Sequence, residues 1–279
     1  MKSRNLHEEA LRIPLDNRAI SYRNRILEVL EVSKRGHLGP AFSVIEIVDV
    51  LYREVMNTRA ILDRAETRDR FLLSKGHGCL GLYVVLESLG LLEELNLNTF
   101  CSFNSPFGGH PESATIPVIE FSTGSLGHGL PVAVGMAKAA KMKNQKLQVF
   151  VLVGDGELNE GSIWEAAAHA SKHNLDNLVV IVDYNEMQAS GSVKSVLDME
   201  PVVDKWQAFG FETSHVNGHD PIAISRELKR LSKKRQPRCV IAHTVKGKGI
   251  PEAENSSVWH HKAKINSSQI AGLKSGLQK

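Results

Sequence analysis

From residue 147 to residue 244 the chain repeats one pattern, a short apolar run followed by a stretch with helical spacing. The runs are LQVFVLVG (147–154), NLVVIVDYN (177–185), FETSHV (211–216) and RCVIAHT (238–244). Between them lie NEGSIWEAAAHASKH (159–173), DKWQAFG (204–210) and PIAISRELKRLSKK (221–234). Strands that are apolar almost throughout must be covered on both faces, and helices between them make the strands parallel. The pattern predicts an α/β fold, a single domain with a mostly parallel sheet and helices on both faces.

The first half of the chain fits that frame. DNRAISYRNRILEVLEVSKR (16–35) reads as a helix with Asp16 as N-cap and Gly36 as its stop. Ser43 and Glu46 have capping-box spacing at the head of a second helix, SVIEIVDVLYREV (43–55). RFLLSKGHG (70–78) is a short strand running into a loop, CLGLYVVLESLG (79–90) a buried helix closed by Gly90, and GLPVAVGMAKAAKMK (129–143) another helix. Residues 96–127 are rich in Asn, Pro, Gly and Ser, which marks a functional loop region. No repeat or linker divides the chain, so residues 1–279 are expected to form one domain, with 263–279 as a polar, patternless, flexible tail or partner contact.

Composition narrows the function. A net charge of +3 gives no reason to expect nucleic acid but leaves room for a small anion. The basic run 226–238 has helical spacing and no interleaved aromatics, so it reads as a solvated helix face. Cys79, Cys101 and Cys239 are scattered without CxxC spacing, as in a reduced compartment without structural zinc. No apolar run approaches the ~18 residues of a membrane span, and the N-terminus has no signal-peptide core. A soluble cytoplasmic protein with neither membrane nor nucleic-acid partner is expected.

Two strand ends carry the chemistry. Asp155 stands between Gly154 and Gly156 where one apolar run stops, and Asn185 ends the next run 30 residues later. Ligands bind at the carboxyl ends of parallel strands, and a right-handed crossover makes such strands near neighbours. A carboxylate with an amide oxygen is a poor zinc set and a good magnesium set. The glycines permit a sharp turn and close approach of an anion, and the following helix directs its N-terminus there. A diphosphate bridged by Mg²⁺ satisfies all of these. Of the 12 histidines, five touch glycine: His37, His77, His110, His128 and His219. Imidazoles on such loops suit proton transfer near neutral pH.

The segment GDGELNEGSIWEAAAHASKHNLDNLVVIVDYNEMQASG resembles thiamine diphosphate enzymes and, within them, the transketolase family. SKGHG, GGHPE, FSTGSLGHGLPVAVGMA, HTVKGKGI and VWHHKAK resemble transketolase segments in the same order, so the likeness spans roughly residues 16–262. It implies thiamine diphosphate and Mg²⁺ (Ca²⁺ or Mn²⁺ substituting), with Asp155, Asn185 and the backbone carbonyl of Met187 on the metal. Gly154 and Gly156 would lie against the diphosphate and Lys246 would be its countercharge. His77, Gly124 and Leu126 would contact the cofactor, and His37, His110 and His260 the oxygens of the substrate's first three carbons. His169, His173, His215, His219 and His243 are assigned structural roles. His128 stands where many full-length members have glutamine, and Pro40, read as a loop residue, where others have serine.

The implied reaction moves a two-carbon ketol unit from a ketose, as its phosphate, to an aldose. The resemblance covers only the diphosphate-binding half. The glutamate that activates the cofactor's ring belongs to a pyrimidine-binding domain which full-length transketolases carry in the same chain. Because this chain begins with Met and has its own tail after the last motif, one component of a split transketolase is expected, completed by a separate C-terminal chain in a heterotetramer. Glu160 is expected to reach across to that partner's glutamate, or else merely to supply charge at a helix N-terminus. Two other readings stay open, the alpha chain of a 2-oxo-acid dehydrogenase type enzyme and a non-catalytic cofactor-binding module. Pentose phosphates, a branched sugar phosphate and a sulfosugar are all compatible with the sequence.

Overall fold

Five parallel strands form one sheet in the computed structural model, which describes residues 2–277 except 93 and 233. They are β1 (Arg70–Leu73), β2 (Val149–Gly154), β3 (Leu178–Tyr184), β4 (Glu212–Asn217) and β5 (Arg238–His243), in the order β1-β2-β3-β5-β4. Side chains alternate across a strand, and here both faces are dry. Phe150, Leu152, Val179, Ile181, Val240 and Ala242 join one core cluster. Their neighbours Val149, Val151, Val153, Val180, Val182 and Ile241 join the other.

The first core is roofed by the early helices, α1 (Lys2–Arg12), α2 (Asn17–Ser33), α3 (Leu38–Phe42), α4 (Ile45–Val50) and α5 (Thr58–Leu62), with α6 (Cys79–Ser88). The second lies under α7 (Gly129–Met142), α8 (Gly161–Lys172) and α10 (Val202–Ala208), which follows a short α9 (Val193–Leu197). Alanines 133, 137, 166, 167 and 170 allow α7 and α8 to approach the sheet and each other closely. Pro221–Leu228 (α11) and Ser267–Gly276 (α12) return to the first face, burying Ile224, Ile270 and Leu273. Among the described residues no helix is long and apolar enough to cross a membrane.

Several local expectations give way. Asp16 does cap α2, accepting from Ala19 N–H at 2.7 Å, but the helix closes in left-handed backbone at Lys34, before Gly36. Pro40 lies within α3 instead of a loop. Ser43 and Glu46 form no capping box; the helix starts at Ile45 without a side-chain cap. Both side chains are drawn inward. Ser43 Oγ donates to Asp183 Oδ2 at 2.8 Å, and Glu46 accepts from buried Arg23 at 2.7 Å and from His219 Nδ1 at 2.9 Å. Burial opposes a charge on Glu46, yet Arg23 and His219 hold its carboxyl far below the usual range.

The basic run is not one helix face, because α11 stops at Leu228. Arg230 pairs with Glu212 and Glu227, and buried Arg238 pairs with Glu227, so these cations are spent inside the fold. Lys233 lies outside the described residues. The stretch expected to be a flexible tail is largely α12, with a capping box between Asn266 and Gln269. Residues 278 and 279 lie outside the described part.

Leu273 makes α12 testable. Its side chain is fully buried, so Leu273→Ala is expected to cost about 2–3 kcal/mol in urea unfolding at pH 7.5. A change within about 0.5 kcal/mol would mean the segment is loose in solution.

Candidate active site

Parallel strands deliver their carboxyl ends to one edge, and four of those ends meet around a cavity of about 300 Å³. The loop after β1 brings Lys75 and His77, that after β2 Asp155, that after β3 Asn185, Met187 and Gln188, and that after β5 Lys246. His37 and Pro40 enter from the α2–α3 region, His110, Gly124 and Leu126 from the long loop, and His260 from the C-terminal segment. The long loop is anchored by Phe100 and Phe107 packed on Tyr83, whose hydroxyl donates to the carbonyl of His110 at 3.0 Å.

Asp155 and Asn185 face this same cavity. Asp155 accepts from Gly156 N–H at 2.7 Å and from Glu186 N–H at 2.5 Å. Burial, then Asp183 nearby, push its carboxyl up to about 7 in spite of those bonds. Asn185 donates to Asp183 at 2.8 Å, and its Oδ1 accepts from Met187 N–H at 3.1 Å, keeping one lone pair. The carbonyls of Met187 and Gln188 accept from Lys246 Nζ at 3.2 and 3.0 Å. Burial, then Lys75, pull that ammonium down to about 8.

The cavity thus holds an anion short of positive charge and a cation short of negative charge. A divalent cation carrying a diphosphate would satisfy both. Among the described residues no group of three or more His, Cys, Asp or Glu is arranged to hold a metal ion. A metal here has one carboxylate, an amide oxygen and a carbonyl to use, which suits a hard, partly hydrated ion such as Mg²⁺. Unpartnered buried atoms also fit a bound group: His37 Nδ1, His260 Nδ1 and Gln188 Nε2, all on residues that line the cavity.

The turn after β2 differs from expectation. Neither Gly154 nor Gly156 has left-handed backbone. Gly156 is required by crowding, since a Cβ there would lie 2.7 Å from Gln188 Cγ, whereas one at Gly154 would meet nothing closer than 3.9 Å. A single 3-10 turn, Gly156–Asn159, separates Asp155 from α8. Buried Glu157 braces it, accepting from Gly154 N–H at 3.1 Å, Gly127 N–H at 2.8 Å and Ser74 Oγ at 2.5 Å.

The histidines form one cluster. The His37 ring lies 5.9 Å from His77, 5.6 Å from His110, 5.7 Å from His260 and 4.6 Å from His261, centroid to centroid, and His77 lies 5.2 Å from His260. Burial is the first cause lowering all four inner imidazoles, His37 and His260 to about 3, with neighbouring histidines adding to it and lysines too for all but His110. At neutral pH they are uncharged, each with one N–H and one lone pair. His219 is a brace, donating to Glu46 and accepting from Val245 N–H at 2.9 Å. His215 and His243 stack with Nδ1 and Nε2 2.9 Å apart, and His169 and His173 meet Lys138 away from the cavity. Exposed His128 lies outside the lining, at the head of α7.

Glu160 also lies outside the cavity lining. It is exposed at the N-cap of α8, makes no capping bond, and rests against Gly127, where a Cβ would lie 2.7 Å from its own.

Lys75, Asp183 and His261 carry no motif that singles them out in the sequence. A signal existed for Asp183, the lone charge in the apolar run LVVIVDY. His261 hides beside His260, and only its contact with His37 reveals it.

Residues 16–278 match the family described as transketolase, thiamine diphosphate binding domain. One of the two chains of apulose-4-phosphate transketolase from Actinobacillus succinogenes, named as its first subunit, is 41% identical over 249 residues, 89% of this chain and 90% of that protein. The protein of the same name from Phocaeicola vulgatus is 40% identical over 240 residues, 86% and 85% of the two chains. The solved transketolase from Leishmania mexicana superposes with a TM-score of 0.80 at 30% identity, over 92% of this chain. This chain spans 40% of that one's length.

Asp155 yields a paired prediction. With the folded pKa raised to about 7, the cofactor-free chain loses stability as pH rises from the ordinary carboxylate range to about 7. Asp155→Asn is therefore expected to raise its melting temperature at pH 8, with little change at pH 4, while abolishing Mg²⁺-dependent retention of thiamine diphosphate. In the unmodified chain, Mg²⁺ affinity measured by calorimetry should fall about tenfold per pH unit below about 7. Unchanged retention in the variant would remove Asp155 from the metal site.

Proposed function

The chain belongs to the transketolase family through its thiamine diphosphate-binding domain, and from that premise we propose that it is half of a two-subunit, Mg²⁺-dependent transketolase. The reaction is transfer of a two-carbon ketol unit from a ketose phosphate to an aldose. The observation that carries the reading is the pair of undercompensated charges, Asp155 and Lys246, on one cavity with four uncharged imidazoles.

Asp155, the Asn185 amide oxygen and the Met187 carbonyl would hold the cation. Lys246 would face the diphosphate, Gly154 and Gly156 would let it lie close, and His77, Gly124 and Leu126 would contact the rest of the cofactor. Bound thiamine diphosphate supplies the carbon nucleophile and electron sink needed to break and remake a bond beside a carbonyl. The chain's own part is orientation and protons. His37, His110 and His260, uncharged and with Nδ1 of His37 and His260 unpartnered, suit hydrogen bonds to sugar hydroxyls. A lone pair on any of them can take the hydroxyl proton that leaves as a carbon–carbon bond breaks, and return it when the new bond forms.

Two things support a separate partner. Both relatives whose names mark them as one component of a larger enzyme are covered over 85–90% of their lengths, and the solved single-chain transketolase over 40%. Glu160 presents a solvent-facing carboxylate beside the cavity's rim loop, free to meet the ring-activating glutamate of a pyrimidine-domain chain. A cytoplasmic heterotetramer with two copies of each chain is the proposed assembly. Sugar phosphates of the kind named for the two relatives are the first donors to test.

Mixing this chain with its pyrimidine-domain partner, Mg²⁺ and thiamine diphosphate is expected to give ketol transfer that neither chain gives alone. Glu160→Gln should retain cofactor but lower kcat of the complex about a hundredfold. Full transfer by this chain alone would defeat the two-subunit reading, and an inert mixture the transketolase reading itself.

A further inference from the structure

We propose that His261 is a specificity-determining residue, a fifth imidazole at the outer edge of the cavity that hydrogen-bonds hydroxyls of the sugar beyond its reacting carbons. The inference rests on the transketolase reading above and adds to it a requirement for a polyhydroxylated donor.

Position comes first. Of the imidazoles around His37, His261 is nearest, with ring centroids 4.6 Å apart. The four inner rings are half-buried, whereas His261 is exposed. The inner end of the cavity is marked by Asp155 and Lys246, where the diphosphate is proposed to lie. A ketose whose carbonyl sits among the inner imidazoles must run its remaining carbons outward past His37. His261 stands there, close enough to add to the electrostatic pressure on His37, His110 and His260.

Rigidity comes second. Gly36 N–H donates to the Lys262 carbonyl and Lys262 N–H to the Gly36 carbonyl, both at 3.0 Å. His260 N–H donates to the Ser257 carbonyl at 3.0 Å, and Ile265 N–H to the Lys34 carbonyl at 2.7 Å. Trp259 is buried, with the Lys262 ammonium 5.0 Å from its ring centroid. His261 is thus clamped on both sides to the turn that carries His37. Its ring makes no hydrogen bond to any described residue, so one donor and one acceptor stand ready in a fixed place. Such a group binds at little ordering cost. One donor and one acceptor match vicinal hydroxyls, and a 2-oxo acid with no hydroxyl past its carbonyl offers them nothing.

The test uses the assembled complex with Mg²⁺ and thiamine diphosphate. Initial rates are measured with D-fructose 6-phosphate, which has hydroxyls beyond its third carbon, and with hydroxypyruvate, which has none. For His261→Ala the ratio of kcat/KM, long donor over short, is expected to fall about tenfold, mainly through KM for the long donor, as for one or two lost hydrogen bonds. His261→Asn, which keeps a donor and an acceptor, should recover most of that ratio. An active complex whose ratio is unchanged in both variants overturns the inference alone, whether both donors weaken together or neither does. A wild-type complex inert with both donors overturns the transketolase reading and this inference with it.

Discussion

Four segments of the chain meet on one carboxylate. Asp183, fully buried near the end of the central strand, takes the ammonium of Lys75, the hydroxyls of Thr244 and Ser43, and the amide of Asn185. Burial works against its charge, but Lys75 and the hydrogen bonds prevail and hold the carboxyl below its usual range. A buried ion left without its partner is strongly destabilising, so these groups keep each other in place. The loop after β1, the loop after β5 and the start of α4 are thereby tied to β3. Asn185 is tied with them, which is why its amide oxygen has a fixed direction at the cavity.

Beyond that neutral centre the site is out of balance. Asp155 and Lys246 are each pushed toward the uncharged form, and the imidazoles are held uncharged by burial and by one another. An apolar filling of the same cavity would give a more stable chain. Undercompensated charge of this kind is the ordinary cost of a preorganised binding site, recovered when the ligand arrives. It also explains how two lysines, Lys75 and Lys246, can share one cavity: the first is spent on Asp183, and the second has only carbonyls.

Much of this was legible from the residues. The strands declared themselves because apolar runs of that length have few other uses, and Asp155 and Asn185 because polar side chains at strand ends face the ligand edge. What the residues did not reveal was decided by contacts far apart in sequence. Ser43 and Glu46 have the spacing of a capping box, but Asp183, Arg23 and His219 offer them more than a helix end could. The C-terminal segment is short of apolar residues, and two of them, Ile270 and Leu273, suffice once a groove exists to receive them. Lys75 looks like any loop lysine until its carboxylate is found 108 residues later.

The same long-range contacts determine where Lys246 can be. Val245 N–H donates to His219, which donates to Glu46, which is held by Arg23, and Arg23 in turn donates to the carbonyl of Lys248 at 2.7 Å. The chain of bonds leaves the Lys246 loop and comes back to it, enclosing the lysine between two fixed points. Gly247 N–H adds a bond to the carbonyl of Gly39, where a Cβ would lie 3.1 Å from the Lys246 side chain. A lysine has four rotatable bonds and is usually a poor choice for a precise contact. Here the backbone is locked from behind and the stem is packed against a glycine, so little freedom remains to be lost when an anion binds. His219, which looked like a bystander in the sequence, is the hinge pin of that arrangement.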